Sequence, residues 1–256
     1  MDDHKEKDKK YHADIAKIYD YITNEPRQYP NELLFRPIDR LLNPAKTMLD
    51  LGCGTGQMFL RFQHLVDKVI AVDHSQEMIE EASRKSHKAG MPDVTFIVQD
   101  LDDFLAMNKE LNVDLITCVG VLHHLDQRGM LDFLTQVYSL LNDSGQLLIA
   151  EPIYSSNVPH IVSARNAKSI LISRLSECMP PDASDPDEEP LEEYNLLNSV
   201  AKAGFVIRKI SKGFELFHVT NPISFMEKII IKIIYWKHRE KGDVIALLLE
   251  KDRKNH

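Results

Sequence analysis

From Met48 to Gln57 the chain reads Met-Leu-Asp-Leu-Gly-Cys-Gly-Thr-Gly-Gln: an apolar run ends at the acid Asp50, and glycines follow at alternate positions 52, 54 and 56. Met58, Leu60, Phe62 and Leu65 come next with helical apolar spacing. This is a strand, a tight turn and the start of a helix. Glycine takes positive φ without steric cost and lets a backbone come close to another group. The first turn of a helix presents N–H groups with no intrahelical partner. Strand, turn and helix therefore make a binding corner of the kind nucleotides use.

The spacing narrows the ligand. A dinucleotide fingerprint reads G-x-G-x-x-G, which from Gly52 puts the third glycine at 57, where Gln57 stands. A phosphate loop needs G-K-[ST], and the sequence has no such run here. A carboxylate at Asp50 repels phosphate but suits a ligand carrying an ammonium or sulfonium centre. Val69-Ile70-Ala71-Val72 ends at Asp73, and Val94 to Val98 leads through Gln99 to Asp100. An acid about 20 residues beyond the glycine turn is placed to accept the hydroxyls of a ribose. Strands ending in acids line one edge of a sheet, and the carboxyl edge of an open α/β sheet is where ligands bind.

From about Lys46 to Pro152 the chain resembles a class I S-adenosylmethionine-dependent methyltransferase of the broad small-molecule (type 11/12-like) group. The segments that carry the likeness are LDLGCGTG, VIAVDHSQEMIEEA, FIVQDLDDF, VDLITCVGVLHHL and LLNDSGQLLIAEP, in this order. Ser144-Gly145 departs from the usual pair of glycines before the fifth strand, which touches turn geometry and not the cofactor site. The resemblance implies a Rossmann-like, doubly wound, mostly parallel sheet of seven strands with an antiparallel last strand, plus a helical N-terminal cap and lid insertions. It implies S-adenosylmethionine as cofactor and S-adenosylhomocysteine as product. By the same resemblance Gly52, Cys53 and Gly54 contact the methionine part through backbone, with Gly56 closing the turn. Asp50 holds the amino group directly or through water, and Asp73 the ribose hydroxyls. His74 and Met78 flank the adenine, Asp100 meets its amino group and Leu101 its edge. Cys118, Val119 and Gly120 line the methionine side near the sulfonium.

Methyl transfer is a displacement in which the cofactor carries the reactivity, so the protein mainly aligns the acceptor and excludes water. A base is needed only where the acceptor must lose a proton. His123 and His124 follow the fourth strand and are the candidates for that base; the bland alternative is pocket wall. Glu151, at the end of the fifth strand, binds acceptor or simply ends the strand. Adjacent histidines do not face one metal from a regular element, and no third ligand has helpful spacing, so no metal is expected.

Residues 1–45 read as a cap. Met1 to Lys10 are almost all charged and read as a disordered or solvated leader, Ala13 to Tyr19 as a helix, and Pro26 and Pro30 as breaks before a second short helix. Tyr11, Tyr19 and Tyr21 are candidates to reach the acceptor. Residues 46–256 read as the catalytic domain, with alternating strands and helices and two insertions. The first, about 153–190, holds a helical stretch from Val162 to Leu175 and a Pro- and acid-rich tail from Met179 to Pro190. It is a lid with His160 and Arg165 facing a polar substrate, or a surface excursion. The second, 211–242, is apolar with spaced lysines: core packing, a homodimer contact or an amphipathic helix at a membrane.

The chain has 256 residues and a formal net charge of −8, so a phosphate backbone is a poor partner. Cys53, Cys118 and Cys178 show no paired spacing, which suits the reducing cytoplasm. No run approaches the length of a membrane span. A small-molecule acceptor is the expected partner. The alternatives are methylation of RNA or protein, or a cofactor-binding module without methyl transfer.

Overall fold

The structure, a computed structural model, describes residues 2–21, 25–91, 93–154, 189–214, 225–238 and 242–252. Two helices lead in, α1 (Asp2–Ile15) and α2 (Glu25–Asp39). Then come β1 (Ala45–Leu51), α3 (Gln57–Arg61), β2 (Val66–Asp73), α4 (Gln76–Ala89), β3 (Val94–Val98), α5 (Leu101–Met107), β4 (Val113–Val119), α6 (Gln127–Leu140) and β5 (Leu141–Pro152). The chain closes with α7 (Glu193–Lys202), β6 (Phe205–Gly213), α8 (Phe225–His238) and β7 (Val244–Lys251).

The sheet order is β3-β2-β1-β4-β5-β7-β6. The first five strands pair in parallel, and β7 lies antiparallel between β5 and β6. The expected seven-stranded, doubly wound, mostly parallel sheet with an antiparallel last strand is the one observed. The order reverses between β1 and β4, so the carboxyl ends of β1, β2 and β4 frame the crevice where such sheets bind ligands.

Burial on both faces explains the near-continuous apolar strands. Leu147, Ile149, Ile245, Leu247 and Leu249 point into one layer with Phe104, Met130, Phe133, Leu134 and Leu196 from α5, α6 and α7. Their neighbours Leu148, Ala150, Ala246 and Leu248 point to the other, with Leu34, Phe35 and Ile38 of α2, Met58 and Phe59 of α3, and Ile79 and Ala82 of α4. The side-chain period of two thus feeds two cores from the same strands.

Three local expectations are amended. The charged leader is helical, since α1 begins at Asp2; Lys10 and Asp14, one turn apart, form an ion pair at 2.7 Å along it, the spacing that supports a polar helix. Pro26 and Pro30 lie inside α2 and not between helices, because the chain has already turned after Ile15. Pro26 sits in the first turn, where no amide has an intrahelical partner to lose. The strand β5 starts at Leu141, directly after α6, and its pairing with β4 shifts register between Val113 and Leu115. Most of the 153–190 insertion, with His160, Arg165 and Cys178, lies outside the described residues.

Candidate active site

The corner between β1 and α3 is fastened to β2 by backbone. The amides of Gly52 and Cys53 both donate to the Val72 carbonyl, at 2.9 and 3.0 Å, and Gly56 donates to Cys53 at 2.8 Å. Asp73 completes the fastening. Its Oδ2 accepts from the Gly54 amide at 2.8 Å and its Oδ1 from the Ser75 amide at 2.9 Å. Each carboxylate oxygen takes two hydrogen bonds, so both keep capacity for ribose hydroxyls.

The glycines of the turn do different jobs. Gly54 has φ +50°, and a Cβ there meets nothing within 4 Å; this is open space against bare backbone. Gly56 has φ +86°, and a Cβ there would stand 2.4 Å from the Phe59 ring. Gly56 is therefore required by the packing of α3, while Gly54 leaves room for a ligand.

Asp50 sits opposite Thr117 in the β1–β4 register. Its Oδ1 accepts from the Thr117 hydroxyl at 2.6 Å, whereas its Oδ2 is buried and without a hydrogen-bond partner. Burial pushes the carboxyl up to about 7; the Thr117 hydrogen bond and the Phe59 backbone oppose the rise, and the Asp73 charge adds to it. A half-satisfied buried carboxyl at the foot of a binding corner is a seat for a cationic group. Burial, with Asp73 and Asp50 nearby, also lifts the Cys53 thiol well above its usual value, so Cys53 contributes backbone and bulk, not a thiolate.

On the far side of β2, Ser75 caps α4 by accepting from the Met78 amide at 3.3 Å. Met78 is buried with Tyr11, Ile15 and Ala16 of the cap, and Tyr19 packs against them. The His74 ring meets His12 edge-on at 6.0 Å between centroids, and its Nε2 is buried without a hydrogen-bond partner. Asp100 caps α5, accepting from the Asp102 amide at 3.0 Å, and Leu101 begins that helix. Asp73, His74, Met78, Asp100 and Leu101 thus gather along the ends of β2 and β3. With Gly54 open and two orphaned polar atoms, at Asp50 and His74, the donor set fits a ligand with an ammonium group, a ribose and an adenine.

A cluster not apparent in the sequence ties the cap down. Asp20 accepts from the Thr55 hydroxyl at 2.7 Å and from Lys85 Nζ at 2.7 Å, and Lys85 also reaches Thr55 at 3.2 Å. Cap, glycine turn and α4 meet there. Tyr11 is buried and Tyr19 half-buried in the packing around Met78, while Tyr21 is 49% exposed.

The strongest polar arrangement lies beyond β4. Glu151, fully buried, accepts from the Val121 and Leu122 amides through Oε1, both at 2.9 Å, and its Oε2 is 2.7 Å from His123 Nδ1. Two amide donors mark Glu151 as an acceptor, so the Nδ1 proton belongs on His123 and the basic lone pair on Nε2. Glu151 does more than end β5: its side chain holds the Val121 and Leu122 amides of the loop and faces His123 Nδ1. The His124 ring lies against His123, tilted by 34° with 4.2 Å between centroids. A Cβ on Gly120 would lie 3.9 Å from the His123 ring, which puts the dyad beside the tip of β4. Cys118 turns its side chain into the core on the α5–α6 side, leaving only its backbone at the edge with Val119 and Gly120. Among the described residues, no cluster of three His, Cys, Asp or Glu side chains is arranged to hold a metal.

Residues 48–145 match the family model described as a methyltransferase domain. The carboxy-S-adenosyl-L-methionine synthase of Citrobacter koseri is 32% identical over 54% of this chain and 57% of its own. The ubiquinone biosynthesis O-methyltransferase of Xanthomonas axonopodis pv. citri is 28% identical over 49% of this chain and 52% of its own. The chain spans about half the length of the curated relatives it matches. The solved structure described as a DhpI–SAH complex superposes with a TM-score of 0.63 over 97% of both chains, at 16% identity; that likeness is one of fold.

Proposed function

We propose that this chain, whose residues 48–145 match a methyltransferase domain, is a class I S-adenosylmethionine-dependent methyltransferase that acts on a hydroxyl of a small molecule, with His123 as the base. The observation that carries the choice of atom is the His123–Glu151 pair at 2.7 Å. Of the O, N and C acceptors open to such an enzyme, a hydroxyl gains most from a base placed at the methyl group.

The bound S-adenosylmethionine supplies an electrophilic methyl carbon and a neutral thioether leaving group. Asp50 receives its ammonium group, Asp73 its ribose, and His74, Met78, Asp100 and Leu101 its adenine. Backbone at Gly52, Cys53, Gly54, Val119 and Gly120 shapes the methionine channel. His123 Nε2 would accept the proton of a hydroxyl placed beside it, and Glu151 would hold the imidazolium until that proton passes to water. The alternating roles of Glu151 and His123 follow the carboxylate–imidazole logic in which the acid orients and the imidazole titrates.

Residues 1–45 serve as the cap over the adenine side, held by the Asp20, Thr55 and Lys85 cluster. A small acceptor fits a chain of net charge −8 better than a nucleic acid does. Cys53 and Cys118, both buried and unbridged, support a cytoplasmic place.

The test is methyl transfer from isotope-labelled S-adenosylmethionine to matched panels of phenols, alcohols and amines by the full chain. Transfer to hydroxyls that falls at least a hundredfold in His123→Ala, with S-adenosylmethionine still bound, supports the reading. Transfer confined to amines, or unaffected by His123→Ala, overturns it.

A further inference from the structure

The helix α8 leaves a stripe of large apolar side chains facing outward. Phe225 is 77% exposed, Met226 62%, Ile233 54% and Trp236 79%, while Ile231 is buried. At about 100° per residue, Phe225, Trp236, Ile229, Ile233 and Met226 fall within an arc of about 100°, and Ile231 points away from it. Lys228 and Lys232, both exposed, flank the arc on one side. Single exposed apolar residues are ordinary, but a continuous stripe of this kind marks an interaction surface.

Its charge says what covers it. From Glu227 to Lys241 the chain carries Lys228, Lys232, Lys237, Arg239 and Lys241 against Glu227 and Glu240, inside a protein of net charge −8. A copy of this chain would bring the same basic helix to a symmetric contact, and like charges would face each other. An anionic lipid surface offers both an apolar layer for the stripe and negative headgroups for the lysines. Trp236 is the one tryptophan in the sequence, and an aromatic ring with a polar edge settles at such a boundary. No helix among the described residues is long and apolar enough to cross a membrane; α8 suits lying in the interface. We infer that α8 docks this protein on anionic membrane surfaces, with Phe225, Met226, Ile229, Ile233 and Trp236 in the acyl boundary and Lys228 and Lys232 at the headgroups.

Because Trp236 is unique, its fluorescence reports this helix alone. The full chain is titrated with phosphatidylcholine vesicles and with vesicles containing phosphatidylglycerol, reading Trp236 emission and co-sedimentation. A blue shift with the anionic vesicles is expected, with binding to neutral vesicles weaker by about tenfold or more, as the loss of headgroup attraction to two lysines implies. Ile233→Glu abolishes the shift, and Lys228→Glu with Lys232→Glu removes the anionic preference, while far-ultraviolet circular dichroism shows both variants folded. Three results overturn the inference: no shift with either vesicle; sedimentation with vesicles at unchanged emission, which puts the contact elsewhere; or a lipid-free blue shift that grows with protein concentration alongside dimer mass, which gives the stripe to a second copy.

Discussion

Asp73 and Gly54 are 19 residues apart, and the carboxylate of the first accepts the amide of the second at 2.8 Å. One side chain at the end of β2 thereby fixes the shape of the turn at the end of β1 before any ligand arrives. Asp73→Ala removes this bond and the one from Ser75. S-adenosylmethionine affinity is expected to fall by about 1–3 kcal/mol, the scale of hydrogen bonds to a charged group, and titration calorimetry measures it. Unchanged affinity would take Asp73 out of the site.

Two glycines a residue apart separate binding from folding. Gly54→Val places its side chain in open space but at a φ of +50°, which a β-branched residue adopts only at a cost of about 1–3 kcal/mol; cofactor binding is lost in a protein that folds with reduced stability. Gly56→Ala drives a methyl into the Phe59 ring at a positive φ, costing about 1–3 kcal/mol from overpacking alone. Both variants melt lower than wild type, and cofactor titration separates them: Gly54→Val loses binding outright, whereas folded Gly56→Ala retains it.

The Asp50 carboxyl, pushed up to about 7 by burial, makes stability depend on pH. A folded-state value above the unfolded one adds stability that is fully present below about pH 4 and is lost as pH rises through about 7. The span from the ordinary carboxyl value of 3.8 to about 7 sets an upper bound of about 4 kcal/mol on that loss. Asp50→Asn keeps the acceptor for Thr117 and abolishes the dependence. Denaturation of both proteins between pH 4 and pH 8, without cofactor, checks it: the difference in slope belongs to Asp50. An ammonium-bearing ligand favours the ionised form, so cofactor binding by the wild type is expected to weaken below pH 7.

Glu151→Gln tests the dyad without emptying the space. The glutamine oxygen still accepts from Val121 and Leu122, but its amide now faces His123 Nδ1 as a donor and favours the opposite tautomer. The expected result is a fall in kcat of a hundredfold or more with little change in cofactor affinity, and a displaced pH–rate profile. A kcat within a factor of two of wild type would leave Glu151 with the loop alone.

The glycine corner and the acids ending β1 and β2 were legible because each is written in a short stretch of chain; the seven strands with an antiparallel last one came from the family resemblance. Strand alternation and turn chemistry are local, and the parallel pattern follows from strands spaced by helices. What escaped depends on residues distant in sequence. Glu151 and His123 are 28 apart and meet only because β4 and β5 pair with Val119 opposite Ala150. Asp50 and Thr117 are 67 apart and meet for the same kind of reason. The Asp20 cluster joins the cap, the turn and α4, and nothing in the charged N-terminal run signals where it docks. Gly54 and Gly56 are indistinguishable as letters; only the position of the Phe59 ring tells them apart.

The most direct measurement is calorimetric titration of the purified chain with S-adenosylmethionine and S-adenosylhomocysteine, with NAD as the control. Micromolar binding of the first two and none of NAD is expected, because the corner lacks the dinucleotide glycine spacing and carries the Asp50 carboxyl, which repels phosphate. Binding of NAD, or of neither adenosyl compound by a folded chain, would contradict it.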